Sequence, residues 1–136
     1  RHEAPHRLAR AGEFARDRLR WTVREGDFLE EFAAAPQPDV IWYDPFSPKV
    51  DAPMWTAEAF ARLAAWLRGP VELFTYSRSS AVRRAMHAAG FVVARGVPSG
   101  PKEETTIALW RAAPEVLAGY RRWSPAPGSA GTASSV

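Results

Sequence analysis

The run Val40-Ile41-Trp42-Tyr43 stops abruptly at Asp44-Pro45. A short, continuously apolar run of this kind predicts a strand buried in a parallel sheet, and proline cannot carry the ladder further because it has no N–H to donate. A buried strand that ends in an acid delivers a carboxylate to the ligand crevice at the carboxyl edge of an open α/β sheet. Asp44 is therefore the first candidate for chemistry. Its bland alternative is a turn aspartate ahead of Pro45.

The rest of the chain alternates between the two periodicities. Pro5 to Arg18 reads as a helix, with Leu8, Ala11, Phe14 and Ala15 at helical spacing, and Arg20 to Arg24 alternates as a half-buried strand within the segment Leu19 to Glu25. Gly26-Asp27 ends it, and Phe28 to Ala35 predicts a short helix stopped by Pro36 and Pro38. Beyond the Val40 strand, Thr56 is placed to cap a helix through Leu67, whose Phe60, Leu63, Ala64 and Leu67 share one face before Gly69-Pro70. Val71 to Thr75 is the next strand. Ser79 or Ser80 caps a helix carrying Val82, Ala85, Met86 and Ala89, with Gly90 as its left-handed terminator. Phe91 to Ala94 and Thr105 to Trp110 are the final strands, joined by the Gly/Pro-rich loop Gly96 to Lys102.

A chain of 136 residues supports one domain at most. From Trp123 onward the composition turns to Ser, Pro, Gly, Ala and Thr, which cannot offset ordering entropy by burial. Residues 1–122 are thus expected to form an α/β domain and 123–136 a disordered tail. The absence of cysteine excludes disulfides, thiolate zinc sites and cysteine nucleophiles. No apolar run approaches the ~20 residues that span a bilayer, and Arg1-His2-Glu3 lacks a signal peptide's apolar centre. The expectation is a cytoplasmic protein with no membrane partner.

The formal charge is +3, and all but Lys49 and Lys102 of the 18 basic residues are Arg, scattered among acids. Guanidinium forks suit phosphate, yet the same scatter describes a solvated surface. No metal site is expected: His2 and His6 lie at the N-terminus, and His87 has no acidic or histidine partner four residues away. Ser77, Ser79 and Ser80 lack the Gly-x-Ser-x-Gly elbow of a hydrolase.

Three blocks, in order, carry a resemblance over about Trp21 to Trp110. They are Asp44-Pro45-Phe46-Ser47-Pro48 with Met54-Trp55-Thr56; Thr75-Tyr76-Ser77 with Val82-Arg83-Arg84 and Ala89-Gly90-Phe91; and Gly100-Pro101-Lys102 with Thr105-Thr106. With them the chain resembles the methyltransferase domain of the MnmC family, which modifies the wobble uridine of certain tRNAs using S-adenosylmethionine. The resemblance implies a partial Rossmann-like, class I methyltransferase fold, with a mostly parallel sheet and an antiparallel last strand. The implied spatial order is Val40–Tyr43, Val71–Thr75, Thr105–Trp110, Phe91–Ala94.

The same fold places two strands and a helix ahead of everything seen here, with a Gly-rich turn for the methionine part of the cofactor. Gly12, Gly26 and Gly69 are isolated, and no Gly-x-Gly follows a predicted strand. The expectation is therefore the C-terminal part of a methyltransferase domain that alone binds S-adenosylmethionine weakly, its missing half supplied by an upstream segment or another chain. The oxidase domain of bifunctional relatives is expected to have no counterpart in these 136 residues. The Leu19 strand can pair with the exposed edge of the Val40 strand or stay detached, and burial of Trp21 and Val23 favours pairing.

The resemblance also implies roles. Asp44 would orient the substrate amine and accept its proton. Asp27 would accept a hydrogen bond from the adenine amino group, or serve only as a helix N-cap. Asp44, Pro45 and Phe46 would contact the cofactor. Phe46, Pro48 and Trp55 would wall the pocket and stack on a base, or be plain core. Lys102, with Arg83 and Arg84, would hold tRNA phosphates or remain a solvated charge, and Pro98, Pro101 and Glu103-Glu104 depart from the family's basic loop. Against the enzyme stands a second reading, a non-catalytic remnant acting as a binding or interaction module.

Overall fold

Gly12 shapes the start of the chain. Its φ of +71° is easy for glycine alone, and its N–H donates to Leu8 O at 2.9 Å, closing helix α1 (Glu3–Ala11) well before the Arg18 expected from spacing. Phe14 and Ala15 belong instead to strand β1 (Glu13–Arg16), which turns at Asp17 (φ +52°) into β2 (Leu19–Thr22). The two strands pair antiparallel, Phe14 opposite Trp21, with ring centroids 6.2 Å apart. The Leu19 strand therefore pairs with this hairpin partner and not with the Val40 strand, because a local turn closes far less chain than a long crossover. Asp27 follows, its carboxylate accepting from Leu29 N at 2.8 Å to cap α2 (Phe28–Glu31), and a 3₁₀ turn, Phe32–Ala34, completes the segment.

The computed structural model describes residues 3–98 and 104–128, in two units, Arg1–Ala35 and Pro36–Val136. The second unit runs β3 (Val40–Trp42), a 3₁₀ turn (Ala52–Trp55), α3 (Ala57–Trp66), β4 (Val71–Thr75), α4 (Ser80–Ala88), β5 (Val92–Gly96), β6 (Thr105–Trp110), α5 (Pro114–Ala118) and β7 (Arg121–Arg122). Thr56 and Ser79 cap α3 and α4 as their positions suggest, with acceptor distances of 3.1 and 3.5 Å. Gly90, at φ +97°, ends α4.

Among the described residues the strand order is β3-β4-β6-β5-β7. The expected order of the first four is observed. Its character is not: only β3 and β4 pair in parallel, while β4 with β6, β6 with β5 and β5 with β7 pair antiparallel. The sheet is mixed rather than mostly parallel, because the β5–β6 hairpin inserts its second strand against β4 and β7 folds back on the outside. Trp123, assigned by composition to the tail, is half-buried and donates its N–H to Val93 O at 2.8 Å. Residues 129–136 lie outside the described residues.

One face of the sheet carries the core. Val71, Leu73 and Thr75 alternate inward along β4, and Phe60 of α3 packs on Tyr43 at 5.4 Å. Phe60, Leu73, Met86, Ile107 and Leu109 are fully buried, each contributing ~1.5–3 kcal/mol of transfer free energy. On the opposite face Val40 and Trp42 stand largely exposed, Trp42 stacked on Phe74 at 5.8 Å.

Candidate functional site

The site grows from the carboxyl ends of the parallel pair β3 and β4. Tyr43 N donates to Phe74 O at 2.8 Å as a last rung, after which Asp44-Pro45 diverts the chain. Asp44 is solvent-exposed, and its Oδ1 accepts from Thr75 Oγ1 at 3.1 Å and from Tyr76 N at 2.9 Å. Two donors from the neighbouring strand end fix the plane of the carboxylate. Among the described residues both donors go to Oδ1 and none to Oδ2.

The loop after Asp44 is held by aromatics. Tyr43 donates its hydroxyl to Met54 O, and Trp55 Nε1 donates to Phe46 O at 2.8 Å while its ring meets Tyr43 edge-on at 5.5 Å. Burial, and secondarily the Asp51 carboxylate, pushes the Tyr43 phenol up, so it stays a donor throughout the working pH range. Trp55 is buried and acts by tethering the loop. Phe46 is 76% exposed, Pro48 exposed and Pro45 half-buried, so the tether presents Phe46 to solvent beside the carboxylate in sequence.

The two residues that donate to Asp44, Thr75 and Tyr76, also line a groove of about 280 Å³, walled further by Trp42, Phe74, Val97, Pro98 and Thr105. Thr75 and Tyr76 thus touch both the carboxylate and the groove. The Trp42 and Tyr76 rings, both lining the groove, lie 6.4 Å apart and meet edge-to-face at 64°. Such walls take a flat, weakly polar ring by stacking and attract a cation by their π faces. Sequence reasoning passed over Trp42, Phe74 and Tyr76 as site residues. The available signal was that Trp42 alternates with the inward Tyr43 immediately before Asp44.

The other candidates fall elsewhere. Asp27 is the N-cap of α2 on the first unit. Pro45, Phe46, Pro48 and Trp55 do not line the groove. Lys102 lies outside the described residues. Arg84 is exposed, but Arg83 is only 4% exposed: its guanidinium is bound to Glu104, Thr106 Oγ1 and Thr105 O, neither solvated nor aimed at a phosphate. Among the described residues no helix is long and apolar enough to cross a membrane, and no His, Cys, Asp or Glu cluster could hold a metal.

Residues 3–111 match the family described as S-adenosyl-L-methionine-dependent methyltransferase. The chain is 34% identical over 118 residues to the tRNA 5-methylaminomethyl-2-thiouridine biosynthesis bifunctional protein MnmC of Pseudomonas syringae, an alignment covering 86% of this chain and 17% of that protein. It is 33% identical over 131 residues to the protein of the same name from Aeromonas hydrophila, covering 84% and 19%. Among solved structures, that of MNMC2 from Aquifex aeolicus superposes with a TM-score of 0.66 at 26% identity, over 81% of this chain and 36% of that one. The chain thus spans less than a fifth of the length of these two relatives.

Proposed function

Because the chain belongs to the S-adenosyl-L-methionine-dependent methyltransferase family, with S-adenosyl-L-methionine as its cofactor, we propose that it supplies the methyl-transfer site for the aminomethyl group of a tRNA wobble uridine, within a partial Rossmann-like fold. The observation that carries this reading is the Asp44 carboxylate, fixed at a strand end by Thr75 and Tyr76 and bordered by an aromatic groove. The tRNA in the relatives' names supports the choice of substrate.

The residues fit the cofactor's reacting end. A sulfonium is a cation and adenine a flat ring, which suit an exposed carboxylate and π-faced walls; no basic side chain among the described lining residues is there for the amino acid's carboxylate. Asp44, Pro45 and Phe46 would border the cofactor. When bound, the cofactor supplies an electrophilic methyl group. Asp44 then has two tasks at Oδ2: to hold the substrate nitrogen with its lone pair aimed at that methyl, and to take the proton the nitrogen sheds. Phe46 and Pro48 would stack on the unpaired uracil, Trp55 would hold Phe46 in place through its carbonyl, and Lys102 would meet a phosphate.

One observation favours the second reading, an interaction module without catalysis: the outer edge of β3 is unpaired among the described residues, with Trp42 67% exposed. Calorimetry separates the two. Titration of S-adenosyl-L-methionine into the full-length protein should give saturable binding that Asp44→Ala weakens, whereas a module would release no heat in either form.

A further inference from the structure

Two pairs of hydrogen bonds, joined through the backbone of Ser77, link a buried arginine to the carboxylate. Arg83 Nε donates to Thr106 Oγ1 at 2.9 Å, Thr106 Oγ1 donates to Ser77 O at 2.6 Å, Ser77 N donates to Thr75 Oγ1 at 3.2 Å, and Thr75 Oγ1 donates to Asp44 Oδ1 at 3.1 Å. Each threonine hydroxyl has one proton to give. Since Arg83 Nε–H can only donate, Thr106 must accept there and turn its proton toward Ser77. Since Ser77 N–H can only donate, Thr75 must accept there and turn its proton toward Asp44. The guanidinium and the amide have no acceptor to offer at these contacts, so the direction is fixed.

The chain is built into the core. Thr75, Thr106 and Arg83 are 3%, 0% and 4% exposed, and Thr75 and Thr106 face each other across β4 and β6. Arg83 is anchored from behind by Glu104, which also receives Arg95 at 2.8 Å. A buried guanidinium held by Glu104, Thr105 O and Thr106 Oγ1 carries a desolvation cost that apolar residues filling the same space would avoid.

We propose that Arg83 and Thr106 are positioning residues: they lock the turn Thr75-Tyr76-Ser77 so that both donors stay on Asp44 Oδ1 and Oδ2 stays turned toward the incoming nitrogen. This rests on the role proposed above for Asp44. The readout does not require catalysis. Amide hydrogen exchange of the chain should show Tyr76 and Ser77 protected, and Thr106→Val should speed exchange at these two amides by ~10-fold or more beyond any change at Ile107 and Leu109. Thr106→Ser, which keeps the hydroxyl, should restore the native rates. Arg83→Lys, which keeps the charge but moves the donor, should loosen the same two amides. If Thr106→Val accelerates all these amides equally, or leaves Tyr76 and Ser77 unchanged, positioning is overturned and the network only stabilises the fold. If the two amides respond as stated while the full-length protein shows no Asp44-dependent methyl transfer, positioning stands and the function proposed above falls.

Discussion

At the scale of single residues, identical types do opposite jobs according to what the fold brings to them. Asp27 and Asp44 both follow apparent strand ends in the sequence, yet one caps a helix and the other accepts from a neighbouring strand. Arg83 and Arg84 are adjacent, and only Arg83 is buried against a partner 21 positions away. No local pattern encodes that difference, which is why the carboxylate was legible from Val40 to Pro45 while the arginine was not. Glu104 gives this cluster a pH signature. Hydrogen bonds from Arg83 and then Arg95 hold its carboxyl below the usual carboxylate range. A lowered native value stabilises the fold above the ordinary value of ~4.3, and the contribution is lost as pH falls through the native value. Urea midpoints of the wild type and Glu104→Gln should differ at neutral pH and converge in acid; a constant difference would mean that ionisation of Glu104 is not what stabilises. Tyr43→Phe leaves the buried Met54 carbonyl without its donor, and should cost ~1–3 kcal/mol by the same measurement.

At the scale of elements, α3, β4 and β6 emerge nearly as their caps and alternation predict, because burial and local preference agree there. Three elements were missed for identifiable reasons. Glu13–Arg16 is half charged and reads as the continuation of a helix unless Gly12 is taken as its end. Pro114–Ala118 has five residues and too few turns for a periodicity to register. Arg121–Arg122 is a strand only because Arg95 and Ala94 pair with it. The two glycine terminators make a comparison. A Cβ at Gly90 would sit 3.3 Å from Trp110 Cζ3 with φ at +97°, whereas Gly12, at +71°, has open space around it. Gly90→Ala should cost clearly more than the ~1 kcal/mol of conformational strain expected for Gly12→Ala. Equal losses in denaturant titrations would show that the contact with Trp110 is easily relieved.

At the scale of the whole molecule, the expected strand order was right and the expected parallel character was wrong, because order follows from which hairpin inserts where, while character depends on how each strand returns. The hairpin Glu13–Thr22 shows the same competition, local closure winning over a distant edge. What joins these levels is one carboxylate held by the adjacent strand beside an aromatic groove. Its role is tested most directly by transferring labelled methyl from S-adenosyl-L-methionine to tRNA bearing an unmethylated aminomethyl wobble uridine, using the full-length protein with and without Asp44→Asn. The amide keeps the shape and the acceptor for Thr75 and Tyr76 but loses the charge and the capacity to take a proton. The expected result is a fall in kcat of ~10²-fold or more with unchanged circular dichroism and thermal midpoint. Near-normal turnover by Asp44→Asn would contradict it and return Asp44 to the status of a turn residue.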